Sequence, residues 1–419
     1  MPFLKWWQGL LENKVVGFLM FVFDRFNNER VPQVASSLTF TTLLALVPVL
    51  TVMLVVVSAF PVFDQWTASF VGFINRMIVP QGADVVFEYL NQFKDKASKL
   101  TAIGSVMLFV TSLMLVQTID SAFNRIWNVH TQRPLVRQFL VYWALLTFGP
   151  LSLGVSLSLI VGAVNGLGLE YISPVLAEAV RFLMSLFFST ALLCALYRFV
   201  PHRFVPAKHA LIGAVVTAFA LQIARYIFAW YMSNFDGYKS IYGAFAAIPF
   251  FLVWLNLLWS MVLAGAVLTS SLSYWRDNAF RRNFDSSGRF DDVLKILLLL
   301  DAAQQEGKAM PVQELRAHIN MGYDELGELL EKLARHGYVY AGKQGWVLKT
   351  SADKIDLAEL FKIFVYSPSY MKKDKVNAAV DQIMQPCVKT MNMTLAEFRV
   401  HTDNHDKSVA ALKKIFDDI

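Results

Sequence analysis

Six stretches of this chain are long and apolar enough to cross a bilayer, and no other feature of the sequence restricts its fold as strongly. A helix rises about 1.5 Å per residue, so about 20 largely apolar residues are needed to cover a hydrocarbon core about 30 Å thick. The stretches run from Phe40 to Phe63, Leu100 to Ile119, Gln138 to Ala163, Val175 to Val200, Ala210 to Met232 and Ala244 to Ser270. The fourth carries Glu178 and Arg181 in its first turns, so its uncharged run is confined to Phe182 to Tyr197. Pro48 and Pro150 fall inside their spans, where each removes a backbone donor and favours a bend.

The charge distribution orients the spans, because loops rich in Lys and Arg resist translocation. Lys5, Lys14, Arg25 and Arg30 precede the first span, and Arg125, Arg133 and Arg137 follow the second. Arg198, Arg203 and Lys208 lie between the fourth and fifth, and Arg276, Arg281 and Arg282 follow the sixth. The opposite loops are poorer: 164–174 has no basic residue, and the fifth loop has only Lys239. The first is long, with Arg76, Lys94, Lys96 and Lys99 spread along it, and helical spacing of Val85, Val86, Tyr89, Leu90 and Phe93 predicts helices at the outer surface. Both termini are therefore expected in the cytosol. Lys5, Glu12 and Lys14 interrupt the opening residues, which does not match a cleaved signal peptide.

Ahead of the first span, Val15, Val16, Leu19, Met20 and Phe23 recur at helical spacing beside Lys14, Asp24 and Arg25, with Trp6 and Trp7 upstream. This pattern suits an interfacial helix, since Trp favours the headgroup region. It equally suits a helix packed on the bundle.

Only 17% of the residues are charged, against about 25% in soluble proteins, yet the last third is different. Arg276 to Ile419 is balanced in charge, and the whole basic excess lies before it. The polar run Asn283 to Arg289 (NFDSSGR) marks a linker. Beyond it the pattern predicts helices at Phe290–Gln305, Val312–Ile319 and Tyr323–Arg335, then a hairpin of Tyr338–Tyr340 and Trp346–Leu348. Three helices and a hairpin make a winged-helix pattern. The expected architecture is thus an all-α membrane protein: residues 1–37 form an interfacial segment, 38–275 a bundle of six transmembrane helices, 276–289 a linker and 290–419 a cytosolic winged-helix-like domain.

Three stretches, Ala35 to Val49 (ASSLTFTTLLALVPV), Thr118 to Trp127 (TIDSAFNRIW) and Ile241 to Leu263 (IYGAFAAIPFFLVWLNLLWSMVL), together resemble the YihY/BrkB family of bacterial inner-membrane proteins over roughly Phe18 to Leu272. The resemblance implies a six-span inner-membrane protein, and the family has carried the label of a transfer-RNA-processing ribonuclease, ribonuclease BN. Many members end the last span with Gly-Ala-Glu, whereas this chain has Gly265, Ala266 and Val267. An acidic group that could serve as a proton site in such relatives is absent here.

A ribonuclease needs metal-bound water or a positioned acid and base, and the residues supply little of either. The seven histidines form no H-E-x-x-H arrangement, and His401 and His405, with Asp403 and Asp406 nearby, read as a solvated tail segment. Cys194 and Cys387 make no disulfide framework or thiolate metal site. The reading is therefore of a protein that is not an enzyme and uses no cofactor or metal. Asp324, Glu325, Glu328 and Glu331 outnumber Lys332 and Arg335 on the third helix of the tail, so an exposed face there would repel phosphates. No nucleic acid is expected as partner. Membrane lipids are, with a cytosolic protein partner or self-association through 290–419.

Polar side chains inside a membrane are costly and mark either a cavity or interhelical bonds. The candidates for a cavity are Arg225, Gln222, Asn256, Glu178, Asp120 and Asn124. Arg225 lies about 22 Å along the fifth span from Ala210, too far from Asp120 at the inner end of span two to pair with it. Glu178 is the acidic group nearest in depth. The leading expectation is transport or flipping of an amphipathic solute, such as a lipid, with a non-transporting scaffold as the alternative and a membrane ribonuclease disfavoured.

Overall fold

The computed structural model describes residues 13–58, 102–129, 173–234, 247–275, 279–280, 288–366 and 375–402. The predicted third span, Gln138 to Ala163, lies outside these residues, as do Trp6, Trp7 and the whole of the long first loop with its predicted helices. The described chain is mostly helical with one small sheet, and it divides into two compact units, 1–272 and 273–419.

The first unit contains α1 (Lys14–Asn28), α2 (Val31–Ser58), α3 (Ala102–Ile126), α4 (Pro174–Phe199), α5 (Ala207–Asn234) and α6 (Ala247–Ser271). Among the described helices, Val175–Phe199, Ala207–Met232 and Pro249–Tyr274 are long and apolar enough to cross a membrane. Starts and stops follow local chemistry. Ser173 caps α4 by accepting from the Leu176 N–H, Pro174 sits at its first turn, and Arg30 (φ 51°) separates α1 from α2. Neighbours in the unit are α2 with α3, α4 with α5, α5 with α6, and α6 with α2.

The core of this unit is made of small residues. Ala210, Ala214 and Ala218 form a fully buried stripe on α5 at four-residue spacing, in one core with Leu263, Ala266 and Val267 of α6. In lipid, helix association depends on close van der Waals contact, which small side chains permit. Gly213 and Gly265 complete the crossing. A Cβ on Gly213 would overlap the Thr269 hydroxyl, and one on Gly265 would overlap both the Thr217 and Tyr197 hydroxyls. The two threonines in turn donate to the carbonyls of Gly213 and Gly265, each at 2.7 Å. The crossing is thus reciprocal, a Gly-x-x-x-Thr segment on each helix.

The second unit begins within the 3-10 turn Leu272–Tyr274 and continues through α7 (Gly288–Gln305), α8 (Val312–His318), α9 (Tyr323–Arg335), β1 (Val339–Ala341), β2 (Trp346–Leu348), α10 (Leu357–Phe364) and α11 (Lys375–Thr390). β1 and β2 are antiparallel, with Tyr340 opposite Val347, and Met310 bridges to Trp346 on the free side. Gly345 (φ 150°) makes that bridge possible, because a side chain there would press on the Met310 backbone at 2.6 Å. Ile296, Leu297, Leu300, Leu315, Leu326 and Leu330 form the centre of the core. The Arg316 guanidinium is buried and donates to the carbonyls of Ile319 (3.1 Å) and Ser273 (2.9 Å), while the Tyr274 ring lies against Gly322. Burial, then the negative charge of Glu359, push the Tyr338 phenol up to about 12, so it stays a neutral donor.

One expectation needs correction here. The sequence pattern placed Asp324, Glu325, Glu328 and Glu331 of α9 on an exposed face, but Asp324 and Glu325 are buried and Glu328 and Glu331 half-buried. Toward its C-terminal half the helix is flanked on both sides: Arg289 of α7 pairs with Glu328 at 3.3 Å, and Lys332 donates to the Ile363 carbonyl of α10 at 2.9 Å beneath the Phe364 ring. Within α9 only Arg335 is exposed.

Candidate functional site

The polar side chains of the first unit are drawn into three groups, each set by different helices. At one end of α3, the terminal carbonyls that no helical N–H can reach are met by guanidinium groups from elsewhere. Arg25 of α1 donates to Ile126 at 3.0 Å, and Arg203 of the α4–α5 turn donates to Asn128 at 2.9 Å and Trp127 at 3.4 Å. Asn128 itself ends the helix in the left-handed region (φ 49°). Two of the predicted residues belong here. The Asn124 side chain accepts from the His202 backbone N–H at 2.9 Å, and buried Asp120 lies 3.3 Å from His202 Nε2. That second contact is not a well-aligned hydrogen bond, and it is an ion pair only when the imidazole is protonated.

The second group spans α4, α5 and α6. Fully buried Tyr197 places its hydroxyl 2.9 Å from the Val262 carbonyl and 3.1 Å from Thr217 Oγ1, and its single proton serves both acceptors because Thr217 spends its own on Gly213. Further along, Gln222 is buried and donates to Ser185 at 3.0 Å. Arg225, one turn on, is half-buried, with its guanidinium 5.1 Å from the centre of the Tyr226 ring. Glu178 is exposed near the start of α4. With Ser185 opposite Gln222, Glu178 and Arg225 are offset by about 6 Å in depth, about one helical turn.

The third group lies on the α2–α6 seam. Ser260 donates to the Asn256 amide oxygen (3.3 Å), the Asn256 amide nitrogen donates to Ser36 (3.0 Å), and Ser36 donates to the Pro32 carbonyl (3.0 Å). The Trp259 indole donates to Thr42 at 3.1 Å beside this relay. Asn256 is half-buried and Ser36 exposed, so the relay reaches the surface of the unit among Phe40, Leu44 and Val253, which are exposed.

The six residues singled out from the sequence are thus distributed. Asp120 and Asn124 share the turn carrying His202, Gln222 and Arg225 share a stretch of α5 with Glu178 nearby, and Asn256 bonds instead to α2. Sequence reasoning missed Tyr197, Ser185, Ser36 and His202. A lone hydroxyl in an apolar run gives no local sign of a partner, while His202, within the Pro201 to Pro206 turn, could have been noticed as the histidine nearest in membrane depth to Asp120. Among the described residues no group of three or more His, Cys, Asp or Glu side chains is arranged to hold a metal ion.

Comparison with known proteins agrees with the membrane reading. The family described as Virulence factor BrkB matches residues 22–287. The chain is similar to the UPF0761 membrane protein of Neisseria meningitidis serogroup C, 67% identical over 97% of this chain and all of the relative. It is 44% identical to that of Chromobacterium violaceum, over 91% of this chain and 92% of the relative. The counterpart in Nitrosospira multiformis is 38% identical over 85% of each. No solved structure matches the chain. A match across most of the membrane unit, together with relatives aligned nearly end to end, shows that this chain is a membrane protein belonging to the BrkB family.

Proposed function

We propose that the chain is a six-span protein of the bacterial inner membrane, with both termini cytosolic, that transports or flips an amphipathic solute, a lipid in the simplest case. The observation that carries this reading is the hydrogen-bonded relay of Ser260, Asn256 and Ser36, half-open to the surroundings and bordered by exposed apolar side chains. An amphipathic solute needs both: polar partners for its headgroup and an apolar surface for its chain. Residues 290–419 act in this reading as a winged-helix-like domain for protein contact or self-association. The scaffold alternative draws support from α11, where Val380, Ile383 and Cys387 recur along one exposed face.

The test is movement of a fluorescent phospholipid across proteoliposomes containing the full-length protein. Wild type is expected to accelerate exchange between leaflets, and Asn256→Leu to reduce it at least about tenfold with little change in thermal stability, because Ser36 keeps its bond to the Pro32 carbonyl and a single interhelical hydrogen bond in a bundle contributes only about 0.6 kcal/mol. No acceleration by wild type with any lipid or amphipathic solute tried, or an unaffected Asn256→Leu, would remove the transport reading and leave the scaffold. The span count has its own test. A reporter fused after Ile419 is expected to be active in the cytosol and one inserted at Gly168 active outside; a C-terminus outside the cytosol would overturn the count of six.

A further inference from the structure

We propose that α1 is an in-plane membrane anchor whose outer stripe, Val15, Leu19 and Phe23, lies in the acyl-chain edge of the cytosolic leaflet. The inference rests on the membrane placement of the family and on the proposed orientation, and is independent of whether the protein transports anything. With 15 residues α1 extends about 22 Å, too short to cross the hydrocarbon core. Its surroundings divide into three sectors around the axis. In one, Phe18 is buried and Val22 and Phe26 pack on the core that holds Val31, Ile126 and Trp127. In the next, Val15, Leu19 and Phe23 are 52%, 57% and 64% exposed, and their spacing of four residues sets them about 40° apart in a continuous apolar stripe. In the third, Asp24, Asn27 and Asn28 are exposed and polar.

That order is what a helix lying flat beside a bundle at a membrane surface requires: protein on one side, hydrocarbon below, water above. The depth agrees. Arg25 holds α1 to the terminal carbonyl of α3, and Glu29, just past its end, lies 3.7 Å from Arg125, so α1 sits where α3 stops and the headgroups begin. Three side chains in a narrow stripe form too small a patch for a stable interface between copies, whereas acyl chains need no matching shape. The two readings left open by the sequence, interfacial and bundle-packed, are therefore both true of different faces of one helix.

The chain has two cysteines, Cys194 and Cys387, so a Cys194→Ser/Cys387→Ser background allows single nitroxide labels in the full-length protein. In proteoliposomes, labels at 15, 19 and 23 are expected to be accessible to oxygen and shielded from a water-soluble nickel chelate, with the ratio reversed at 24, 27 and 28 and a label at 18 immobilised. Nickel access at 19 and 23 would overturn the proposal, as would dipolar broadening there that disappears on dilution with unlabelled protein, which would assign the stripe to a second copy. On the unaltered chain, a phospholipid with a diazirine in its acyl chain is expected to leave adducts within residues 15–23 on irradiation. Adducts on α4 and α5 but none on this segment would overturn it equally.

Discussion

Gly213→Ala is expected to cost about 3 kcal/mol or more of stability, at the upper end for overpacking a filled core, and Thr269→Ala in the same chain to restore most of it. The added methyl would occupy the space of the Thr269 hydroxyl, with Thr269 Cβ at 3.1 Å and the Gly265 carbonyl at 3.3 Å close behind. Thr269 cannot swing aside cheaply. Its χ1 is restricted in a helix, and its hydroxyl would give up the bond to the Gly265 carbonyl. The backbones would have to separate, carrying apart the alanine stripe of α5 and the face of α6. Thr269→Ala removes the obstructing oxygen, so the pair of substitutions should be far from additive. Gly265→Ala should be rescued less well by Thr217→Ala, because the Tyr197 hydroxyl also stands in the way. Thermal unfolding of the purified full-length variants reads both cycles. A single Gly213→Ala that costs under about 0.5 kcal/mol, the level of an ordinary surface change, would mean that the helices cross less closely than described.

On the proposed transport reading, Arg225→Gln is expected to abolish lipid exchange while leaving insertion and thermal stability nearly intact. Arg225 lies just inside an exposed aromatic group on α5, formed by Tyr226, Trp230 and Tyr231. Such residues favour the level of the headgroups, and the proposed orientation places this end of α5 outside. A half-buried guanidinium there can recruit an anionic headgroup from the outer leaflet, with its stem along the apolar surface and its plane against Tyr226. Glutamine keeps length and polarity but removes the charge, so Arg225→Lys should recover part of the activity. The reading is checked by the same lipid-exchange assay alongside thermal unfolding. Loss of folding together with activity would assign Arg225 to the architecture, and unchanged exchange would end its functional role.

Much of the first unit could be read from composition and spacing because the bilayer is an exacting solvent. Runs such as Val175 to Val200 and Ala210 to Met232 have to be helical to satisfy their own backbones, and the residues carrying the BrkB resemblance lie in other apolar runs and at their ends, around the first, second and sixth spans. The small sheet was legible for a similar reason: two short apolar runs around Gly342 and Gly345 leave few alternatives to a hairpin, and the observed strands shift the first run by a single residue. The acidic helix α9 shows where that reasoning stops. Its charges follow the helical pattern of an exposed face, but how far they are covered depends also on Arg289, 39 residues before its partner Glu328, and on Ile363 and Phe364 beyond the hairpin.

By itself the sequence determined the membrane class, the helices of the described spans, the clustering of basic residues in particular connecting segments and the short list of polar residues in apolar surroundings. Each of these follows from interactions with solvent or with residues a few positions away. Only the tertiary structure decided which of those polar residues meet: Asp120 with His202, Gln222 with Ser185, Asn256 with Ser36 across 220 positions of chain. It also decided that glycines 213 and 265 face threonines of the opposite helix, and that one side of α1 is packed and another bare. A side chain's partner is set by the rotation and depth of a neighbouring helix, quantities that belong to the packing of two surfaces and are carried by neither helix alone.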